Sequence, residues 1–381
     1  MKDFEYSLSR RFFAQIANGM EDFGKSELAE LGAEDIKNVY RGLYFNADNE
    51  AVYRINYQSR LITRVVAPLL TFDCHSADYL YKTAMQIPWD TLFNIKNTFA
   101  VFASVSHSKI THSKYAALRL KDAIVDYFKE QTGDRPNIEK LNPDIWLNLH
   151  IEQNRAVISV DTSGGSLHRR GYRSQAGSAP MQETLAAAII RLTDWHGEKP
   201  LIDPMCGSGT LLLEALMAYC KIPAGYFRKR FGFEFLPDYN KQLWNKVRNS
   251  ADKTIRQLPK GLLSGSDVSR YAIEDIIKNS KNFTSGRNIQ IRAGDYRDIE
   301  AINDSIIVSN PPYGIRMGKE KDMGLFYREL GDFLKQRCRN STAYIYFGDR
   351  EYIKNVGLKP SFKIPLVNGA LDGRLVKYEL Y

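Results

Sequence analysis

From residue 181 onward, short apolar runs and helical stretches take turns. Pro200–Asp203, Leu262–Asp267, Ile289–Asp295 and Ile306–Val308 read as strands, and Met181–Leu192, Thr210–Cys220, Ser269–Ser280 and Gly324–Gln336 as helices. Strands that alternate with helices build a mainly parallel, doubly wound sheet. Thr342–Phe347 continues the pattern, and a closing hairpin, Phe362–Val367 against Leu375–Tyr381, adds an antiparallel strand. Ligands of open α/β folds bind outside the carboxyl ends of the strands. The residues at those ends therefore carry the functional reading.

Four successive strand ends carry Asp203, Asp267, Asp295 and Asn310. Any one such acid is more often a cap or a turn residue. The ordered set is harder to explain as structure alone. Asp203-Pro204-Met205-Cys206-Gly207-Ser208-Gly209-Thr210 joins the first strand to its helix. Glycines let a backbone approach a ligand closely, and a helix N-terminus favours negative charge. The loop lacks the Gly-Lys-Ser/Thr of a P-loop and the third glycine of a dinucleotide fingerprint. An acid beside such a loop suits a ligand bearing a free amino acid, its ammonium near Asp203 and its carboxylate near the backbone. Asp267 is placed to accept hydrogen bonds from ribose hydroxyls. At Asp295 a carboxylate or backbone group can meet an adenine amine.

The fourth strand runs into Ser309-Asn310-Pro311-Pro312-Tyr313-Gly314. Neither proline offers a backbone N–H. The Asn310 side-chain oxygen and the Pro311 carbonyl remain as acceptors, and two acceptors suit the two donors of an exocyclic amine. Tyr313 supplies a flat face for a base turned out of its stack. The plain alternative is a proline-rich turn after a buried strand.

Composition narrows the class. With 381 residues the chain has room for two or three domains, and 44% hydrophobic with 25% charged residues is ordinary for a globular protein. No apolar run of transmembrane length occurs, and the start lacks the apolar core of a signal peptide. Cys74, Cys206, Cys220 and Cys338 are scattered without a CxxC pair, which argues against zinc and disulfides and fits a reducing cytoplasm. No histidine pair has metal-ligand spacing. Net charge is +9. Residues 1–165 carry 19 basic and 21 acidic side chains, whereas 221–260 carries ten basic and three acidic. That stretch reads as a basic helical insertion, either a phosphate-contacting surface or a solvated face.

The first half predicts α+β structure. Tyr6–Leu8, Phe12–Ile16, Val39–Phe45 and Ala51–Asn56 look extended around a helix at Gly19–Leu31, a small ferredoxin-like pattern. Thr98–Val105 is a strand, Tyr115–Phe128 a helix, and Ile145–Ile151 pairs with Arg155–Val160. Residues 163–180, rich in Gly, Ser and Arg, read as a linker.

Taken together, Leu167–Arg173, Ala179–Ala186, Asp203–Thr210, Gly265–Asp267, Gly294–Asp295 and Asn310–Gly314 resemble class I S-adenosylmethionine-dependent methyltransferases. More closely, they resemble THUMP-domain 23S rRNA guanine-N2 methyltransferases of bacteria, often labelled N6-adenine-specific DNA methylases. The resemblance covers the whole chain, specifically in its second half and loosely in residues 1–160. It implies an N-terminal ferredoxin-like segment (1–56), an RNA-binding THUMP domain (57–162), the linker (163–180) and a Rossmann-like class I methyltransferase domain with a seven-stranded, mainly parallel sheet (181–381). It implies S-adenosylmethionine held by Asp203, Pro204, Gly207, Gly209, Thr210, Asp267, Val268, Asp295, Tyr296 and Asn310. The target amine would meet Asn310, Pro311, Pro312 and Tyr313, while the helix from Pro180 closes over the methionine end. Implied further are methylation of a guanine N2 in 23S rRNA, an RNA partner, no metal, no membrane, a monomer and a cytoplasmic setting. The front half is less basic than RNA binding leads one to expect, which points to a local patch such as Lys109, Lys114, Arg119 and Lys121. The clamp serves an adenine N6 equally well, so a DNA adenine methyltransferase stays open. So does an inactive RNA-binding ribosome assembly factor, although the intact site set counts against it.

Overall fold

A computed structural model describes residues 4–173, 181–312, 321–369 and 371–381. The expectations placed on Tyr313 and Pro180 lie outside these residues. The chain divides into two compact units. One takes the chain up to Ile16, Glu21–Leu167 and Arg228–Ser250; the other takes Ala17–Met20, His168–Phe227 and Ala251–Tyr381. Among the described residues no helix is long and apolar enough to cross a membrane, and no cluster of His, Cys, Asp and Glu is placed to hold a metal ion.

The first unit is built on one eight-stranded sheet. In spatial order its strands are Glu34–Val39, Gly42–Asn46, Arg11–Gln15, Arg64–Asp73, Arg155–Asp161, Ile145–Glu152, Thr98–Ser106 and Asn137–Ile138. Ile145–Glu152 and Arg155–Asp161 form the expected antiparallel pair, with Gln153 and Asn154 at positive φ in the turn. The helix Ser113–Thr132 buries Ala116, Leu120, Ile124 and Phe128, a stripe at helical spacing, and ends on the left-handed Gly133. Phe128 and the strand residue Phe99 both pack tilted against Phe93, with ring centroids 5.1 and 5.7 Å away.

Three local expectations change here. Ala51–Asn56 is helical, within Asn49–Gln58: Asp48 caps the helix by accepting from the Ala51 N–H at 2.8 Å, and Ala51, Val52, Ile55 and Asn56 are buried. A helix face, rather than strand alternation, explains those apolar residues. Tyr6–Leu8 lies in a short helix, Glu5–Ser9, which turns Tyr6 inward. Val39–Phe45 is not one strand but spans a hairpin turn, with Arg41 at φ 57°.

Residues 228–250 of the basic insertion fold into the first unit. Trp244, on the helix Lys241–Asp252, sits edge-on to Tyr57, Phe231 and Phe233 at 5.2, 5.5 and 5.2 Å between ring centroids. Arg228 donates to the carbonyls of Ser163, Gly164, Gly165 and Ser166. Arg230 pairs with Asp144 at 2.7 Å. Residues 163–167, from the glycine-rich stretch, are thereby packed within the first unit, and 168–173 belong to the second.

The second unit carries a seven-stranded sheet. Numbered along the chain, its strands are Leu201–Asp203, Leu263–Asp267, Gln290–Ala293, Ile306–Ser309, Ser341–Phe347, Phe362–Asn368 and Leu371–Leu380, and their spatial order is 3-2-1-4-5-7-6. The first five run parallel; the seventh is antiparallel to the fifth and to the sixth. This is the Rossmann-like class I arrangement. The central strand Ile306–Ser309 is buried at every residue, as a strand covered on both faces must be. The helix Lys321–Arg337 packs Tyr327, Leu330 and Leu334 into the same apolar cluster as Ile307, Ile345 and Phe347.

Candidate active site at the strand ends

The strand order reverses between the first and fourth strands, so the crevice of the sheet opens there. Asp203 ends one of these strands and Asn310 follows the other. Asp203 is fully buried. Its Oδ1 accepts from the Met205 N–H at 3.1 Å and from the Ser309 hydroxyl at 3.1 Å. Removal from water raises the carboxyl from 3.8 to about 7; the two hydrogen bonds pull the other way, and the nearby Asp267 adds to the rise.

The loop that follows is shaped by its glycines. Gly207 and Gly209 have φ of 52° and 86°. A Cβ on Gly209 would lie 2.3 Å from Ile276, so the helix Arg270–Ser280 packs where a side chain would be, whereas a Cβ on Gly207 would meet open space. The Gly207 N–H donates to Asp267 Oδ2 at 2.8 Å, and the Ser269 N–H to Oδ1 at 2.8 Å. Asp267 therefore ties the first two strand ends together while staying half-buried. The Pro204 carbonyl accepts from the Ser266 hydroxyl at 3.2 Å. Cys206 is buried and its thiol is pushed up by desolvation, as befits a packing residue.

Thr210 opens the helix Thr210–Tyr219, and its hydroxyl accepts from Arg173 Nη2 at 2.8 Å. The same guanidinium donates to the Met181 carbonyl at 2.9 Å and pairs with Glu183 at 3.1 Å. Deeper, Arg170 and Tyr172 are fully buried and both reach Glu214 Oε1, at 3.4 and 3.2 Å. Two members of the arginine-rich run thus fasten that segment to the helix rather than facing solvent.

Asp295 is held by Arg297 in a two-pronged pair, 3.0 Å from Nε to Oδ1 and 2.7 Å from Nη2 to Oδ2, which keeps its carboxyl below the usual range. Tyr296 is directed into the core against Phe326 and Phe333, so only its backbone faces the strand end. Val268 is 74% exposed, and Tyr271, on the helix that follows, is 82% exposed. Asn310 is half-buried, Pro311 buried and Pro312 exposed. Reading the sequence did not single out Ser309 and Arg297, which contact Asp203 and Asp295. The signal for Ser309 was available: a serine closing a wholly apolar strand needs a buried partner.

The described residues also bear on the front half. Lys109 and Lys114 are exposed. Arg119 is taken up by Asp78 at 3.2 Å and lies over the Tyr81 ring, and Lys121 pairs with Asp122. The patch expected there is half engaged internally.

Comparison with known proteins identifies the family and its domains. Residues 170–377 match the family model described as "RMKL-like, methyltransferase domain", 74–161 match the THUMP domain, and 11–66 match the RlmL ferredoxin-like domain. A Synechocystis protein named "Putative RNA methyltransferase slr0064" is 39% identical, over 98% of this chain and 97% of its own length. The "Ribosomal RNA large subunit methyltransferase K/L" of Syntrophotalea carbinolica is 36% identical over 97% of this chain and 53% of its own, so this chain spans about half the length of such relatives. Among solved structures, SMU.472, described as "a putative methyltransferase complexed with SAH", superposes with a TM-score of 0.84 at 27% identity, covering 97% of this chain and 98% of its own. A Listeria monocytogenes protein described as "a predicted N6-adenine-specific DNA methylase" gives 0.82 at 27% identity, covering 100% and 99%. The chain belongs to the RMKL-like methyltransferase family, with a THUMP domain and a ferredoxin-like domain ahead of the catalytic fold, and its cofactor is S-adenosylmethionine.

Proposed function

We propose that this protein methylates the exocyclic N2 amine of a guanine in 23S rRNA. The observation that carries the reading is the placement of Asp203 and Asn310 at the ends of the two strands that flank the sheet's switch point, where the hydroxyl of Ser309, next to Asn310, donates to Asp203. The residues at the edge fit the cofactor. Asp203 is a buried acid whose donors among the described residues both meet Oδ1, which leaves Oδ2 for an ammonium. The Pro204–Gly209 loop and the start of the helix at Thr210 are open to a carboxylate at Gly207. Asp267 accepts ribose hydroxyls on the solvent side, and the exposed Val268 borders the adenine, whose amine is met by the backbone at Asp295–Tyr296 because the Asp295 carboxylate is already paired. Bound there, S-adenosylmethionine supplies an electrophilic methyl group.

The chain's own work is positioning. Asn310 and the Pro311 carbonyl accept the two amine hydrogens, and this fixes the nitrogen lone pair in one direction. Pro312 stiffens the turn, and Tyr313 is assigned the stacking face. The amine proton becomes strongly acidic once the nitrogen is alkylated, so no dedicated base is required. The rRNA substrate is supported by the THUMP domain and by the relatives' names. The Listeria neighbour favours a second reading, adenine N6 in DNA.

The test is methyl transfer from labelled S-adenosylmethionine to protein-free 23S rRNA, 16S rRNA, tRNA and duplex DNA, followed by nucleoside analysis. N2-methylguanosine in 23S rRNA is the expected product. N6-methyladenine in DNA would replace the substrate assignment. Asn310→Ala is expected to abolish transfer yet leave cofactor binding nearly intact; surviving turnover would refute the clamp.

A further inference from the structure

The front unit contains the THUMP domain, yet residues 1–165 carry more acidic than basic side chains. RNA binding draws most of its affinity from neutralised phosphates. The missing charge arrives from another part of the chain. Residues 228–250 lie in sequence within the methyltransferase stretch 170–377 but fold into the first unit. They bring six basic and two acidic side chains.

Five of these basic residues divide into two sets, and the sixth, Lys229, is exposed beside the first. Arg228 and Arg230 are structural, engaged with four backbone carbonyls and with Asp144. The helix that starts at Lys241 is set by its apolar face: Trp244 and Val247 are buried, with Trp244 in the nest of Tyr53, Tyr57, Phe231 and Phe233. Its remaining face exposes Lys241, Gln242, Asn245, Lys246, Arg248 and Asn249, with no acidic residue in the first turn. Lys246 approaches Glu50 no closer than 3.7 Å and keeps 72% of its side chain exposed, a pairing that contributes little to folding. A helix fixed by an aromatic nest, with cations and amides presented to solvent on its outer face, is a rigid surface for a polyanion.

We propose that the outer face of the helix beginning at Lys241 is a docking surface for the backbone phosphates of structured RNA, and that it supplies the front unit's electrostatic attraction. This inference rests on the rRNA reading above. Phosphate contacts position the substrate without reading its sequence, so the surface sets affinity and salt dependence, and the clamp sets the nucleotide.

The experiment compares wild type with Lys241→Gln/Lys246→Gln/Arg248→Gln, substitutions that keep helix propensity. Binding of full-length protein to 23S rRNA fragments is measured at several salt concentrations, beside cofactor affinity, thermal unfolding and methyl transfer. The variant is expected to bind RNA about 10- to 100-fold more weakly at low salt. The slope of log affinity against log salt should shrink by roughly two to three, about 0.7 to 0.9 for each phosphate that the protein no longer neutralises. Cofactor affinity and unfolding should be unchanged. Saturating RNA should restore transfer, because the defect lies in KM rather than kcat. Unchanged RNA affinity and slope in a variant that still folds would overturn the proposal and leave the rRNA reading standing. Selective wild-type binding to an acidic protein instead of RNA would overturn it in favour of a protein partner. If wild type methylates and binds DNA but not rRNA, the substrate reading fails, and the proposal fails with it.

Discussion

Replacing Asp203 by Asn is expected to make the cofactor-free protein more stable while it destroys the cofactor site. Asp203 is fully buried, and the loss of hydration outweighs its two hydrogen bonds, so its carboxyl titrates near about 7 rather than 3.8. The folded protein thus holds this proton more tightly than the unfolded chain does. The stability it contributes is complete below pH 3.8 and is lost progressively as pH rises through about 7. At about 1.4 kcal/mol for each pH unit, the ionised carboxylate costs the fold about 4 kcal/mol above neutrality. The asparagine side chain of the variant carries no charge, and its oxygen still accepts from Met205 and Ser309. Urea unfolding of both proteins between pH 4 and 9 should show the variant gaining on wild type from pH 4 to about 7, then holding a constant lead. Calorimetry should show the opposite trend in function: wild-type cofactor affinity rises with pH and levels above about 7, because the ammonium needs the ionised acid, and the variant binds weakly throughout. A stability gap that is independent of pH, or one that favours wild type at pH 8, would refute the idea that desolvation governs Asp203.

Other substitutions follow from packing. Gly209→Ala puts a Cβ 2.3 Å from Ile276 at φ +86°, so denaturation should show a loss of about 2 kcal/mol or more, together with weaker cofactor binding. Arg170→Leu leaves the buried Glu214 without its cation and should cost about 3–5 kcal/mol, largely recovered by a second Glu214→Leu change; a double variant no better than the single would disprove the pairing. Asp267→Asn keeps one acceptor oxygen for the two N–H groups of Gly207 and Ser269, and titration should show cofactor affinity down about tenfold or more. Trp244→Ala empties the aromatic nest and should lower stability by about 3–5 kcal/mol, read from unfolding of the first unit.

Where local pattern and tertiary demand agree, sequence reading succeeds. The helix Ser113–Thr132 and the strands of the second unit carry periodicities that their burial requires. Asn49–Gln58 misled because Val52, Tyr53 and Ile55 are equally good strand formers, and only the Asp48 cap settles the matter. Asp295 shows a different failure. Its place at a strand end is visible in the sequence, but the grip of Arg297 on both its oxygens depends on how a short turn folds back.

The alternation of strands and helices, with an acid or Asn310 closing each of four strands, was enough by itself to bring those four residues to one edge of a parallel sheet. A strand's direction and the period of its side chains are local properties, and the chain alone carries them. Tertiary structure decided which groups meet. Ser309 reaches Asp203 from a strand 106 positions away, and Trp244 nests against Tyr53 and Tyr57 from within the methyltransferase stretch. Those contacts depend on strand order and on where an insertion finds apolar cover, and both are set by burying the whole surface at once rather than by any one segment's preference.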